Sequence, residues 1–317
     1  LGLLVLAFRA GFQPSVIGEA LQSLNPVWAL ATIALVMGGA LLKAWRWSLL
    51  LSSTSPISTP SQTLGPLLTG QAFNMLTIAR LGDVVRVWLL SSHLNLPLPA
   101  VAATLVVENV FELCAYGSLA LMLSGTLAAV TASTARLPIT IAAALVGLLA
   151  LIGLTFFGDK LLPPFLNWLD RRQLLRLRGW LSAASSALEP LKQARQFWPI
   201  VGLTAMIWLL AWFTNLTLFQ AFGLDLPPAA GLLILVLIII GVAPGLMPTN
   251  IGPFYFLTIF ALQQYKVDSA IALAYAAVLH LMVTGVPIVG AGLYLADQWR
   301  RTGLWPRLNP PPTWPQS

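Results

Sequence analysis

Charge is scarce in this sequence. Of its 317 residues, 9% are Asp, Glu, Lys or Arg, while 58% are hydrophobic. A soluble domain carries about 25% charged residues, so this chain lacks the means to clothe itself in water. Cysteine is scarcer still. The one present, Cys114, excludes an intrachain disulfide and any cysteine-rich metal site. Histidine occurs twice, as His93 and His280, too far apart in sequence to suggest a zinc cluster. No metal and no other cofactor is expected. No glycine-rich loop ending in lysine, of the kind that cradles nucleotide phosphates, is present. The segments of ~10 alternating residues that build a membrane barrel are missing too.

What the chain has instead is length without charge. Glu19 to Lys43 encloses 23 uncharged residues, Glu112 to Arg136 another 23, and Arg136 to Asp159 encloses 22. Arg195 to Asp225 encloses 29 and Asp268 to Asp297 encloses 28. A helix needs about 20 apolar residues to cross the hydrocarbon core, so each run suffices. Spans are predicted over Pro26–Leu51, Pro97–Leu123, Leu137–Phe157, Phe197–Phe222 and Ser269–Ala296. Leu1–Phe8 is too short to span and reads as the end of a first span, giving about six in all.

The formal net charge is +7. The basic residues stand at the ends of apolar runs, which points to membrane topology and anionic lipid rather than to nucleic acid. The connection 159–195 is rich in Lys and Arg, and its Leu161, Leu162, Phe165 and Trp168 recur at helical spacing, as in a helix lying on a membrane surface. The tail 297–317 is basic and ends in Pro310–Pro312 and Pro315. The positive-inside rule places both in the cytoplasm, together with Lys43 and Arg46. Residues 1–296 then form a single domain in the cell membrane.

Two stretches are not ordinary spans. Thr63–Ser92 embeds Asn74, Arg80, Asp83 and Arg86 in apolar sequence, and Gly231–Tyr265 is broken by Pro244, Gly245, Pro248, Asn250, Gly252 and Pro253. Non-helical backbone at membrane depth survives only inside protein or beside a wet cavity. Both stretches therefore read as re-entrant helical hairpins. Laid over each other at an offset of 170 residues, Leu81–Val110 and Ile251–His280 bring Gly82 onto Gly252. By charge, the first hairpin opens from the cytoplasm and the second from outside. The expected fold is thus all-α and polytopic, about six transmembrane helices plus two broken hairpins related as an inverted repeat, a plan that places substrate between discontinuous helices.

Ionisable residues at membrane depth are costly and mark function. Arg80, Asp83 and Arg86 are spaced at three and share a helix face. Arginine suits a phosphate, which it grips through paired hydrogen bonds, and a helix start at Gly82 would offer backbone amides to the same anion. Asn74 and Arg46 join the candidate phosphate-binding set. The bland alternative for Arg46-Trp47 is an interfacial anchor, and for Arg80 and Arg86 an anchor at headgroup level. Glu108 and Glu112, one turn apart and near mid-membrane, need arginine partners, protonation or a polar cavity. With Asp83 they are candidates for charge balance or proton coupling. Gly82, Pro248, Asn250, Gly252, Pro253, Tyr255 and His280 are candidates for shaping the breaks and the cavity, although a lone mid-span histidine is more often a packing residue.

These motifs together resemble a known family. Arg46-Trp47, Gly70-x3-Asn74, Arg80-x-Gly82-Asp83-x2-Arg86, Glu108-x3-Glu112 and Pro248-Thr249-Asn250-Ile251-Gly252-Pro253-Phe254-Tyr255, with His280 in the last span, look like the lysylphosphatidylglycerol synthase transmembrane family. The chain departs from that pattern at Ile78-Ala79, Thr249 and Tyr255. The resemblance implies a flippase-like domain that handles membrane lipid. The implied cargo is an anionic phospholipid or a polyprenyl-phosphate-linked molecule, with a lipid- or glycolipid-modifying enzyme as a partner. No soluble aminoacyl-transferase segment follows the last span, so a non-enzymatic transporter is expected. A membrane enzyme acting on a lipid-linked substrate and a non-catalytic lipid-binding subunit are the alternatives.

Overall fold

The computed structural model describes residues 18–19, 22, 24–52, 59–77, 80–127, 194–242 and 250–302. The partial span Leu1–Phe8, the span Leu137–Phe157, the connection 159–195 up to residue 193, Pro244, Gly245, Pro248 and the tail after Thr302 lie outside them. Eight helices are described: α1 Pro26–Leu50, α2 Pro60–Leu76, α3 Leu81–Leu94, α4 Leu98–Leu127, α5 Ala194–Ala221, α6 Pro228–Val242, α7 Ile251–Gln263 and α8 Ser269–Thr302. Four of them, α1, α4, α5 and α8, are long and apolar enough to cross a membrane. No strand occurs among the described residues.

Local chemistry sets the helix starts. Asn25 caps α1, its Oδ1 accepting from the Val27 amide at 3.0 Å, and Pro26 occupies the first helical position. Thr59 and Gln62 begin α2, the Thr59 amide donating to Gln62 Oε1 at 3.0 Å. Asp268 caps α8 by accepting from the Ala270 amide at 2.8 Å. The long helices then expose large apolar side chains, among them Val27, Leu30, Val106, Leu281 and Leu293. In a soluble protein such a display would be a liability; on a spanning helix it is the lipid-facing side.

Both expected hairpins are helix pairs. In the first, α2 packs on α3, and in the second α6 packs on α7. The turn of the first lies earlier than its glycine. Arg80 adopts the left-handed region at φ 55° and α3 starts at the next residue, which leaves Gly82 inside the first turn. Gly82 serves close approach instead: a Cβ there would overlap the Gly70 carbonyl oxygen, and one at Gly70 would lie 2.6 Å from Arg86 Cβ. The second hairpin restarts in the same way, with Asn250 left-handed at φ 48° directly before α7. A Cβ at Gly241 would collide with Leu257 across that pair.

α1 and α5 pack together along their lengths and run antiparallel. The Asn25 amide donates to the Ala221 carbonyl at 2.9 Å, Thr32 Oγ1 meets Thr217 Oγ1 at 2.9 Å, and Ser52 Oγ meets Gln196 Oε1 at 3.1 Å. Two buried apolar clusters flank this pair. One joins α1, α2, α3 and α4 around Trp47, Leu67, Leu90 and Phe111. The other joins α4 to α8 around Leu123, Phe219, Leu235, Phe254 and Tyr275. The hairpins are cross-braced, since α2 packs on α8 and α6 on α4.

Candidate functional site

The ionisable residues singled out in the sequence converge. Arg46, on α1, is fully buried. Its Nη2 donates to Glu108 Oε1 at 3.1 Å and, more closely, to Glu112 Oε1, while Nη1 donates to Thr204 Oγ1 on α5 at 3.0 Å. The other oxygen of Glu108 faces Arg86 Nη1 at 3.2 Å. Arg86 Nε lies 3.3 Å from Asp83 Oδ1, and Arg80 Nε lies 3.3 Å from Asp83 Oδ2. Cations and carboxylates therefore alternate along one connected chain: Arg80, Asp83, Arg86, Glu108, Arg46, Glu112. Three positive charges meet three negative ones, and the chain ties α3, α4 and α1 together.

Neighbouring groups hold this chain in place. Asn74 on α2 donates from Nδ2 to Asp83 Oδ1 at 2.9 Å and accepts from the Asp83 amide at 3.2 Å. Trp47 is buried beneath the network, its indole donating to Thr104 Oγ1 at 3.0 Å and its ring lying 5.3 Å from the Arg86 guanidinium carbon. Arg46-Trp47 is thus no interfacial anchor, and neither is Arg86, whose side chain is 7% exposed. Arg80 differs, with a side chain 48% exposed. Removing one member of a buried ion pair leaves the other uncompensated, which costs about 3–5 kcal/mol.

A cavity of about 460 Å³ opens beside the network. Seven of the eight described helices contribute to its wall, and Arg80, the residue directly before α3, joins them. Lys43, Gln71, Asn74, Arg80, Tyr116 and Asn250 supply polar groups, and Leu35, Val36, Leu210, Ile238 and Val283 are among the apolar residues. The turning residues of both hairpins, Arg80 and Asn250, lie on this wall, so the N-terminal ends of α3 and α7 reach it. A helix N-terminus carries partial positive charge. Arg46, Arg86, Glu108 and Glu112 stand behind the wall rather than on it.

The second hairpin carries a different set. Tyr255 and His280 are in ring contact, with centroids 5.5 Å apart, and Phe254 lies 4.8 Å from His280. His280 therefore packs behind Phe254, which itself lines the cavity. Gly252 and Pro253 fall in the first turn of α7. Several contributors were not singled out by sequence reasoning, Tyr116 and Thr104 among them. Lys43 reads from sequence as a topology signal, and Thr204 and Asn215 as ordinary polar residues in a span. Asn215 Oδ1 accepts from the buried Tyr275 hydroxyl at 3.0 Å, and its side chain also lines the cavity. Only the helical phase of Lys43, three and four residues beyond cavity-lining Ala40 and Gly39, could have marked it.

The match to known families decides the identity at family level. The model of the lysylphosphatidylglycerol synthase TM region covers residues 1–291. The chain belongs to that family. No curated protein and no solved structure matches it. As a member of the lysylphosphatidylglycerol synthase TM region family, it is a polytopic membrane protein of a lipid-related kind.

Proposed function

We propose that this protein moves a phosphate-bearing lipid between leaflets, the cargo being an anionic phospholipid or a polyprenyl-phosphate-linked molecule. The observation that carries the reading is the cavity between the two hairpins, polar on one part of its wall and apolar on another, with Arg80 and Asn250 at the two helix restarts. Discontinuous helices that meet at membrane depth are the usual seat of a transporter substrate, and the volume lies in the range of ligand sites. Arg80 contacts the phosphate. Arg46 and Arg86, held by Glu108, Glu112 and Asp83, fix the wall from behind. The protein works in the plasma membrane, with the connection 159–195 and the C-terminus in the cytoplasm, beside an enzyme that makes or modifies the lipid.

The two halves support alternating access. Adding 170 to the first residues of α1, α2, α3 and α4 gives 196, 230, 251 and 268, against helix starts at 194, 228, 251 and 269 for α5, α6, α7 and α8. The equivalent helices α1 and α5 run antiparallel, so an axis relating the halves would lie in the membrane plane. This layout supports the inverted repeat expected from the sequence, a plan in which one half rocks against the other.

Reconstitution in vesicles with tail-labelled phospholipids tests the reading. Exchange between leaflets without a new covalent product is expected, and Arg80→Ala and Glu108→Ala should each lose most of it. A new lipid product would instead mark a membrane enzyme. Full exchange by both variants would overturn the site.

A further inference from the structure

We infer that Lys43 is the charge that selects the cargo, and that the cavity admits a lipid whose phosphate headgroup carries one net negative charge while turning away lipids with a cationic headgroup. The inference rests on the cavity reading above and adds a headgroup class and a selecting residue to it.

Among the described residues, the charges around the cavity do not cancel. Arg80, Arg86 and Arg46 are matched one for one by Asp83, Glu108 and Glu112. Lys43 stands on the cavity wall and makes no ion pair with any of the described residues. Each of the three nearby carboxylates already has an arginine partner. Among the described residues one positive charge is therefore left over, and it faces the space where a ligand would sit. An ammonium taken out of water without a partner is expensive, and an anion in the cavity removes that expense. The remaining polar groups suit the same guest. Gln71, Asn74, Tyr116 and Asn250 can donate hydrogen bonds, and α7 brings an N-terminal end whose cap residue, Asn250, makes no side-chain cap bond. The apolar wall, with Leu35, Val36, Leu210, Ile238 and Val283, provides for an acyl chain rather than for a free ion. A headgroup bearing an added amine would meet Lys43 and half-exposed Arg80 as like charges.

The test uses the full chain in two formats. In vesicles, leaflet exchange is measured for tail-labelled phosphatidylglycerol, of net charge −1, and for its lysyl ester, of net charge +1. Wild type should move the anion at least tenfold faster. Lys43→Gln should abolish that preference, Lys43→Arg should keep the order, and Lys43→Glu should reverse it toward the cationic lipid. A purely structural lysine would not invert the order. In detergent, native mass spectrometry of the same variants reads binding alone, with the deacylated phosphodiester as competitor. Anion-selective binding that follows residue 43 but comes without exchange would uphold the headgroup site and defeat transport. Exchange whose headgroup order is the same in wild type and Lys43→Glu would overturn the proposal and leave transport standing. Competition by the deacylated compound at equal concentration would also overturn it, because the ligand would then be a soluble anion. Losing the charge removes an uncompensated cation, so Lys43→Gln should fold at least as well as wild type. Should Lys43→Glu not fold, the comparison of Gln with Arg decides.

Discussion

Glu108 is the residue on which the buried network turns, because it touches both Arg46 and Arg86. Glu112 forms an ion pair with Arg46 alone among the described residues. Glu108→Gln strips two buried guanidiniums of a shared anion and should lower stability by about 3–5 kcal/mol. Glu112→Gln should cost less, since Arg46 keeps Glu108. Thermal unfolding of the two variants in detergent checks the order, and equal midpoints would refute it. Much of this pairing was legible beforehand: two carboxylates near mid-membrane demand cations, and the sequence offers few. The partners themselves were not, because nothing in a linear pattern says that Arg46 on α1 reaches α4 while Lys43, three residues earlier, faces the cavity. From sequence both mark the end of a span equally well.

At the scale of elements, the first hairpin depends on a close approach and on one strained turn. Gly82→Ala would drive a methyl into the Gly70 carbonyl, backbone that cannot yield as a side chain can. It should sharply reduce the yield of folded protein. Gly292→Ala on α8, where a Cβ meets nothing within 4 Å, should be neutral or slightly stabilising. Size-exclusion profiles in detergent compare them. Arg80 holds a positive φ that costs a non-glycine residue roughly 1–2 kcal/mol, while its half-exposed ion pair returns little. Arg80→Gly should therefore raise the melting temperature and yet lose leaflet exchange, separating strain from function in one variant. The existence of the hairpin was readable from its polar residues. The turn's position was not: Gly82 drew attention as a helix breaker, whereas the residue that turns is the arginine two places earlier.

At the scale of the whole molecule, the two halves share a layout and almost no chemistry. Moving 170 residues along from Lys43, Arg46, Arg80, Asp83, Arg86, Glu108 and Glu112 leads to Phe213, Leu216, Asn250, Pro253, Phe256, Val278 and Met282. Each of these charges falls on an uncharged position, so the proposed repeat rests on helix order rather than on residue matching. The antiparallel contact of α1 with α5 can be checked directly. In a Cys114→Ser background, Thr32→Cys paired with Thr217→Cys should form a disulfide on mild oxidation, read as a mobility shift on a gel after proteolysis between the helices. Failure to cross-link, with both thiols titratable, would refute the packing.

The separation of the network's members along the chain has a consequence for how the protein is made. Arg46 lies 62 residues before Glu108 and 66 before Glu112. At about 5–20 residues per second, a ribosome delivers the cation seconds before either anion exists. During that interval α1 must sit in the insertion machinery with Lys43 and Arg46 unmatched, their long stems bent toward the aqueous face. The arrival of α4 gives Arg46 its two anions, whereas none of the described residues pairs with Lys43.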